Sequence, residues 1–182
     1  MNVKLLRWAI VALLGIGALA FIAVGANGPD DPTLRPAEGQ VPLNRTPFGD
    51  FPEIGFRIEG GAPAQAAALR CALLAKTPAQ QSRGLMNRTD IGGYDGMLFE
   101  FSSDTTTGFW MKDTPLPLSI VFFDGTGQFV STVDMTPCIH QPTCPTYGAA
   151  RPYRWALEVP QGALPRLGIV PGTRLVTAGP CS

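Results

Sequence analysis

The sequence predicts a mainly β protein: a compact antiparallel sandwich or barrel of about seven strands with one or two short helices, preceded by an N-terminal transmembrane helix and a linker. Three observations lead there. From Leu69 onward the apolar runs are short and separated by turn residues, the pattern of packed strands rather than of a helical bundle. The 21 Gly and 18 Pro of the 182-residue chain oppose long helices in the folded part. A hydrophobic content of 45% against 15% charged residues is rich for a soluble domain, so an apolar segment must lie elsewhere in the chain. The length fits one folded domain. With 14 Lys+Arg against 14 Asp+Glu and a pI near 6.6, the chain lacks the basic footprint of a nucleic-acid or membrane-surface binder, and neither is expected as a partner.

The apolar segment comes first. Lys4 and Arg7 precede an uncharged run from Trp8 to Ala26, which as helix is about 28 Å long against a hydrocarbon core of roughly 30 Å. Positive charge on the short side holds that end in the cytoplasm and places everything after Asn27 outside it, periplasmic or extracellular, with the membrane as a partner through residues 8–26. A cleaved signal is the alternative, since Val24-Gly25-Ala26 offers small residues before Asn27; a signal core, however, runs only about 7–15 apolar residues. Residues 27–64 read as a Pro-rich linker, because Pro29, Pro32, Pro36, Pro42, Pro47, Pro52 and Pro63 each remove an amide donor and fix φ. Phe48, Phe51, Ile54, Phe56 and Ile58 are too apolar for a solvated tether, so its last part is expected to pack on the domain as an edge strand.

The domain, residues 65–182, is expected to carry strands at Leu69–Ala75, Met97–Phe101, Gly108–Lys112, Leu118–Asp124, Gln128–Asp134, Arg154–Pro160 and Thr173–Ala178. Asp124-Gly125-Thr126-Gly127 supplies the turn of a hairpin between the fourth and fifth. Thr77, Pro78 and Gln80 form a capping-box start for a helix running to about Met86, and a second short turn is expected at Ala163–Leu167. A domain of this size buries about 65% of its unfolded surface and needs no metal to fold. No cofactor is expected.

Cys71, Cys138, Cys144 and Cys181 are an even set in a chain placed outside the cytoplasm, where disulfides are the default. Four cysteines allow three connectivities; Cys138 and Cys144 are close enough for a local bridge, which leaves Cys71 to meet Cys181. A metal site from Cys138, His140 and Cys144 is the sharper alternative, but the spacing is not a recurrent zinc pattern. Redox chemistry at Cys138 and Cys144 lacks both Cys-x-x-Cys and a flanking Lys or Arg to depress a thiol pKa.

Arg83-Gly84-Leu85-Met86, Asp95-Gly96-Met97-Leu98-Phe99, Phe109-Trp110-Met111-Lys112 and Trp155-Ala156-Leu157-Glu158-Val159-Pro160 are unusual strings for a small domain. With Thr114, Pro117-Leu118, Met135-Thr136-Pro137 and Gly168-Ile169-Val170-Pro171-Gly172 they resemble the domain of unknown function 192 family over about Leu69–Val176. The resemblance implies a small, mainly β protein, often with an export or membrane segment, and supplies no activity and no catalytic residue. The usual Gly-Asp before the last strand is Gly172-Thr173 here.

Strand alternation puts Phe109 and Met111 on one face and Trp110 and Lys112 on the other. Trp110 and Lys112 are therefore candidate walls of a pocket. With Asp113, and with Asp134 or Glu158 if either lies near, Lys112 would form a cation–carboxylate pair able to hold a small polar or anionic ligand. The plainer reading is a structural ion pair at a sheet edge. Tyr147 and Tyr153 flank Arg151 in a Pro- and Gly-rich loop that could serve recognition. The Met and Phe residues of the strands read as core. His140 is the only histidine, and the Gly-x-Ser-x-Gly, P-loop and dinucleotide fingerprints are absent. The expectation is a membrane-tethered extracytoplasmic module that binds a ligand, an envelope component or another protein. The alternatives are a hydrolase- or lyase-like enzyme using Lys112 with a carboxylate beside Trp110, and a structural factor without a ligand.

Overall fold

A computed structural model of the chain describes residues 44–61 and 68–181. The expected anchor at residues 8–26 and the cleavage site near Ala26 lie outside the described residues. Among those described, no helix is long and apolar enough to cross a membrane.

The elements run β1 (Glu53–Glu59), β2 (Arg70–Ala75), α1 (Pro78–Arg83), β3 (Gly96–Thr105), β4 (Phe109–Trp110), β5 (Leu118–Phe123), β6 (Phe129–Met135), β7 (Thr146–Tyr147), β8 (Tyr153–Pro160), α2 (Leu164–Leu167) and β9 (Arg174–Thr177). Seven strands form one sheet in the order β6-β5-β8-β3-β2-β1-β9, while β4 and β7 make a separate two-stranded ribbon. The sheet curls into a half-barrel, and its two edges meet where Gln128 bridges Arg174. Gly127 makes that approach feasible, since a Cβ there would run into the Leu175 carbonyl oxygen.

The mainly β expectation stands, and of the sandwich-or-barrel alternatives the curled sheet takes the barrel side as a half-barrel; the sheet is not all antiparallel. β2 and β3 pair in parallel, Ala72 opposite Gly96 and Ala75 opposite Phe99. Parallel neighbours need a crossover connection rather than a tight turn, and α1 lies in it. The helix start at Thr77 was thus also the topological signal. The strand expected at Gly108–Lys112 shrinks to Phe109–Trp110, with Lys112 in an isolated bridge to Cys138, and β7 was not foreseen. β1 is not an edge strand: it lies between β2 and β9. The expected hairpin forms between β5 and β6, closed by Asp124 N–H to Gln128 O at 2.9 Å and Gly127 N–H to Asp124 O at 2.9 Å.

The curled sheet buries apolar side chains on both faces. On one, Phe56, Ile58, Leu98, Val121, Phe123, Leu157 and Val159 pack beneath Leu167 and Ile169. On the other, Leu73, Met97, Phe99, Ile120, Phe122 and Tyr153 pack beneath Leu85, Phe109 and Met111, from the segments that cover that face. β5 is buried throughout because it serves both. Disulfides join Cys71 to Cys181, Cα atoms 5.8 Å apart, and Cys138 to Cys144, 5.9 Å apart. The first fastens the carboxyl end to β2; the second closes the loop before β7.

Candidate functional site

Helix α1 is placed by its cap. The Gln80 N–H donates to Thr77 Oγ1 at 3.2 Å, and Gln80 Oε1 accepts from the N–H of Thr77 at 3.0 Å. Gln80 Nε2 also donates to the Asp50 carbonyl at 2.7 Å, and Gln81 Nε2 to the Glu100 carbonyl at 2.7 Å. One turn of helix is thereby tied to the segment before β1 on one side and to β3 on the other.

Between α1 and β3–β4 lies a groove of about 450 Å³. Pro78, Gln81 and Ser82 form one wall; Phe99, Phe101 and Phe109 contribute aromatic surface to the other. The rings of Phe99 and Phe109 meet edge to face at 4.9 Å. Trp110 stands at the groove, 51% exposed, beside the buried Phe109 and Met111 that alternate with it. A second depression, of about 460 Å³ along Glu100, Ser102 and Asp104, shares Pro78, Gln81 and Phe101 with it.

Phe99, Phe109 and Trp110 also line a smaller cavity of about 30 Å³, with Thr114 and Glu158. Glu158 is 4% exposed. Its strand neighbours across β3 and β5 are Met97 and Ile120, both fully buried. The close packing of β3 on β8 at this level needs Gly96, where a Cβ would strike the Glu158 carbonyl oxygen. No donor among the described residues reaches the Glu158 carboxyl, and burial alone pushes its pKa up to about 8, from an ordinary value of 4.5. At neutral pH the group is therefore a protonated acid, able to donate one O–H and to accept. The Thr114 hydroxyl donates to the Lys112 carbonyl at 3.1 Å, which leaves its oxygen able to accept.

The loops around the cavity are knitted through the backbone. Asp113, at φ +50°, donates its N–H to the Cys138 carbonyl at 2.9 Å and accepts the N–H of Asn87, at φ +60°, at 2.7 Å. Left-handed conformations at non-glycine residues persist where the surroundings over-determine them. Here they lock the chain after α1, the Lys112 turn and the disulfide loop into one assembly. Tyr147, opposite Phe109 in the ribbon, accepts the Thr136 N–H on its hydroxyl at 3.1 Å.

Among the sequence-expected site residues, Trp110 and Glu158 come together at one cavity, with Lys112 next to Trp110. Asp113 and Tyr147 fasten backbone around it. Asp134 is elsewhere engaged, accepting from Ser119 Oγ at 2.5 Å and Gln161 Nε2 at 3.0 Å, and these donors hold its carboxyl below the usual range. The Lys112–carboxylate pair does not form among the described residues; the Lys112 ammonium lies 5.6 Å from the Trp110 ring centre instead. Gln81, Ser82 and Phe99 were not singled out as site residues. The capping box placed the first two on a helix, but which strand that helix faces is a matter of topology. Glu53, Cys71 and Cys181 approach as a metal-ligand set would, yet the disulfide consumes both sulfurs.

Comparison with known proteins gives a family and a fold. The model of the DUF192 family, described as "Uncharacterized ACR", matches residues 62–177. A protein provisionally named a transcription regulator, from Sinorhizobium meliloti 1021, is 28% identical with a TM-score of 0.60, covering 73% of this chain and 99% of its own. A protein of unknown function from Novosphingobium aromaticivorans DSM 12444 is 26% identical with a TM-score of 0.62, covering 78% of this chain and 97% of its own. No functionally curated protein matches the sequence.

Proposed function

Since this chain belongs to the DUF192 family, whose members are described as uncharacterised, we propose a function from the site itself: a binding module, tethered to a membrane on the side away from the cytoplasm, that takes its ligand in the groove between α1 and β3–β4. The observation that carries this reading is Trp110. A large aromatic half exposed beside a groove with Phe99, Phe101 and Phe109 in its wall is the composition of a ligand site, mostly apolar with a few convergent polar groups. The tether is supported by Lys4 and Arg7 ahead of the apolar run to Ala26, and by disulfides that persist in oxidising compartments. The name of the Sinorhizobium protein does not move the reading to DNA, because this chain has a formal net charge of zero.

Trp110→Ala in the full chain tests the site. Screened by thermal shift against sugars, small aromatics, amides and short peptides, the unaltered chain gains a saturable shift with one class and the variant loses it. A shift retained in the variant would reject the groove. Export is tested separately: thiol alkylation of native material labels no cysteine if the domain matures outside the cytoplasm, and labelling of all of them would reject that placement. The enzymatic alternative, with Lys112 acting beside a carboxylate, has less support, because Asp134 is held by Ser119 and Gln161.

A further inference from the structure

We propose that Glu158 is the polar anchor of the groove: its carboxyl hydrogen-bonds the carbonyl or amide end of an uncharged ligand whose planar or apolar body lies along Phe99, Phe101 and Trp110. This rests on the groove being the binding site and adds the class of ligand it takes.

Glu158 is the one buried acid among the described residues. Other carboxylates here have partners, Glu59 with Arg174 at 2.6 Å, Glu100 with Lys76 at 3.1 Å and Asp134 with Ser119 and Gln161; among the described residues Glu158 has neither cation nor hydroxyl. Burying a polar group without a partner opposes folding, and a sheet position flanked by Met97 and Ile120 would take an apolar side chain more readily. What distinguishes the position is the cavity it lines. At about 30 Å³ that space exceeds the roughly 10–15 Å³ needed by one water-sized group, so it admits the polar end of a ligand and little more. The cavity and the groove share Gln81, Ser82, Phe99, Phe109 and Trp110, so a ligand seated along the aromatic wall brings its head to Glu158.

Charge selects the head group. The Lys112 ammonium, 5.6 Å from the Trp110 ring centre, disfavours an ammonium head, while the charge of Arg83, which lines the cavity, is offset by Asp50. An anionic head would place a second ionisable group in an apolar chamber beside an acid, at a desolvation cost an amide avoids. Thr114 supplies a further acceptor for an amide N–H.

The test uses the full chain and two probes of like size, phenylacetamide and 2-phenylethylamine, followed by the Trp110 indole N–H signal in nitrogen-15 spectra at pH 6.5. Phenylacetamide shifts that signal saturably, and 2-phenylethylamine binds at least about tenfold more weakly, as expected of a site built around one hydrogen bond. Glu158→Leu weakens phenylacetamide by about tenfold or more, whereas Glu158→Gln, which keeps an N–H donor, stays within about threefold of the unaltered chain. Tighter binding of the amine, or undiminished binding to Glu158→Leu, overturns the anchor. If the Glu158 variants bind like the unaltered chain while Trp110→Ala, followed by thermal shift in place of the indole signal, loses its response to phenylacetamide, the groove stands and the anchor falls. If neither probe moves Trp110, both fall.

Discussion

The two faces of the half-barrel are built from the same strands and differ in what they tolerate. Where Leu157, Val159 and Phe123 pack under Leu167 and Ile169, the interior is apolar side chain against apolar side chain. One residue along β8 from Leu157, on the opposite face, Glu158 meets a cavity and has no partner among the described residues. Neighbouring positions on a strand point to opposite faces, so a single register carries a closed core and an open site back to back. The closed face supplies stability, which lets the other keep a void, an unpartnered acid and left-handed residues at Asn87 and Asp113.

Substitutions on β8 break or sharpen this contrast. The largest effect is expected on the closed face: Leu157→Ala removes a fully buried side chain and lowers stability by about 3 kcal/mol in denaturant unfolding, within the usual range of about 2–5 for such truncations. Glu158→Leu is expected to leave stability at pH 7 unchanged or raise it; a loss comparable to that of Leu157→Ala would make the two faces equivalent. Next comes pH. Between 4.5, the ordinary value of its carboxyl, and about 8, folded Glu158 holds a proton that the unfolded chain has released. Stability therefore falls as pH rises through that window, at about 1.4 kcal/mol per unit if the group acts alone. Glu158→Gln flattens the slope. Smaller again is Asp134→Asn. Ser119 and Gln161 depress the Asp134 pKa, so its contribution is present above the unfolded value and lost as pH falls through the folded one. The group is exposed, and the expected loss at pH 7 is a few tenths of a kcal/mol. Smallest is Trp110→Ala, expected to change stability by under about 0.5 kcal/mol while abolishing ligand-induced shifts, since half of the ring already lies in water.

How much of this was legible in the sequence follows the range of the forces involved. The Thr77 cap, the Asp124–Gly127 turn and the alternation Phe109, Trp110, Met111, Lys112 are local, and the structure has each. The parallel pairing of β2 with β3 joins residues across the helix between them, and no period in either strand announces it. The same holds for the site. Trp110 and Glu158 can be named from the sequence, but a pair between Lys112 and a carboxylate depends on a distance the sequence does not give, and the fold turns Asp134 toward Ser119 and Gln161 instead. That Glu158 is alone depends on Met97 and Ile120 beside it, which only the sheet order places there.

A site-resolved titration of the Glu158 carboxyl carbon, assigned by its loss in Glu158→Gln, bears most directly on the view that one face of the sheet holds a ligand-ready acid. A midpoint near 8, moving further upward when an amide probe saturates the Trp110 signal, is the predicted result. A midpoint in the ordinary carboxylate range, insensitive to the probe, would show an ionised side chain already satisfied within the protein and would contradict the account.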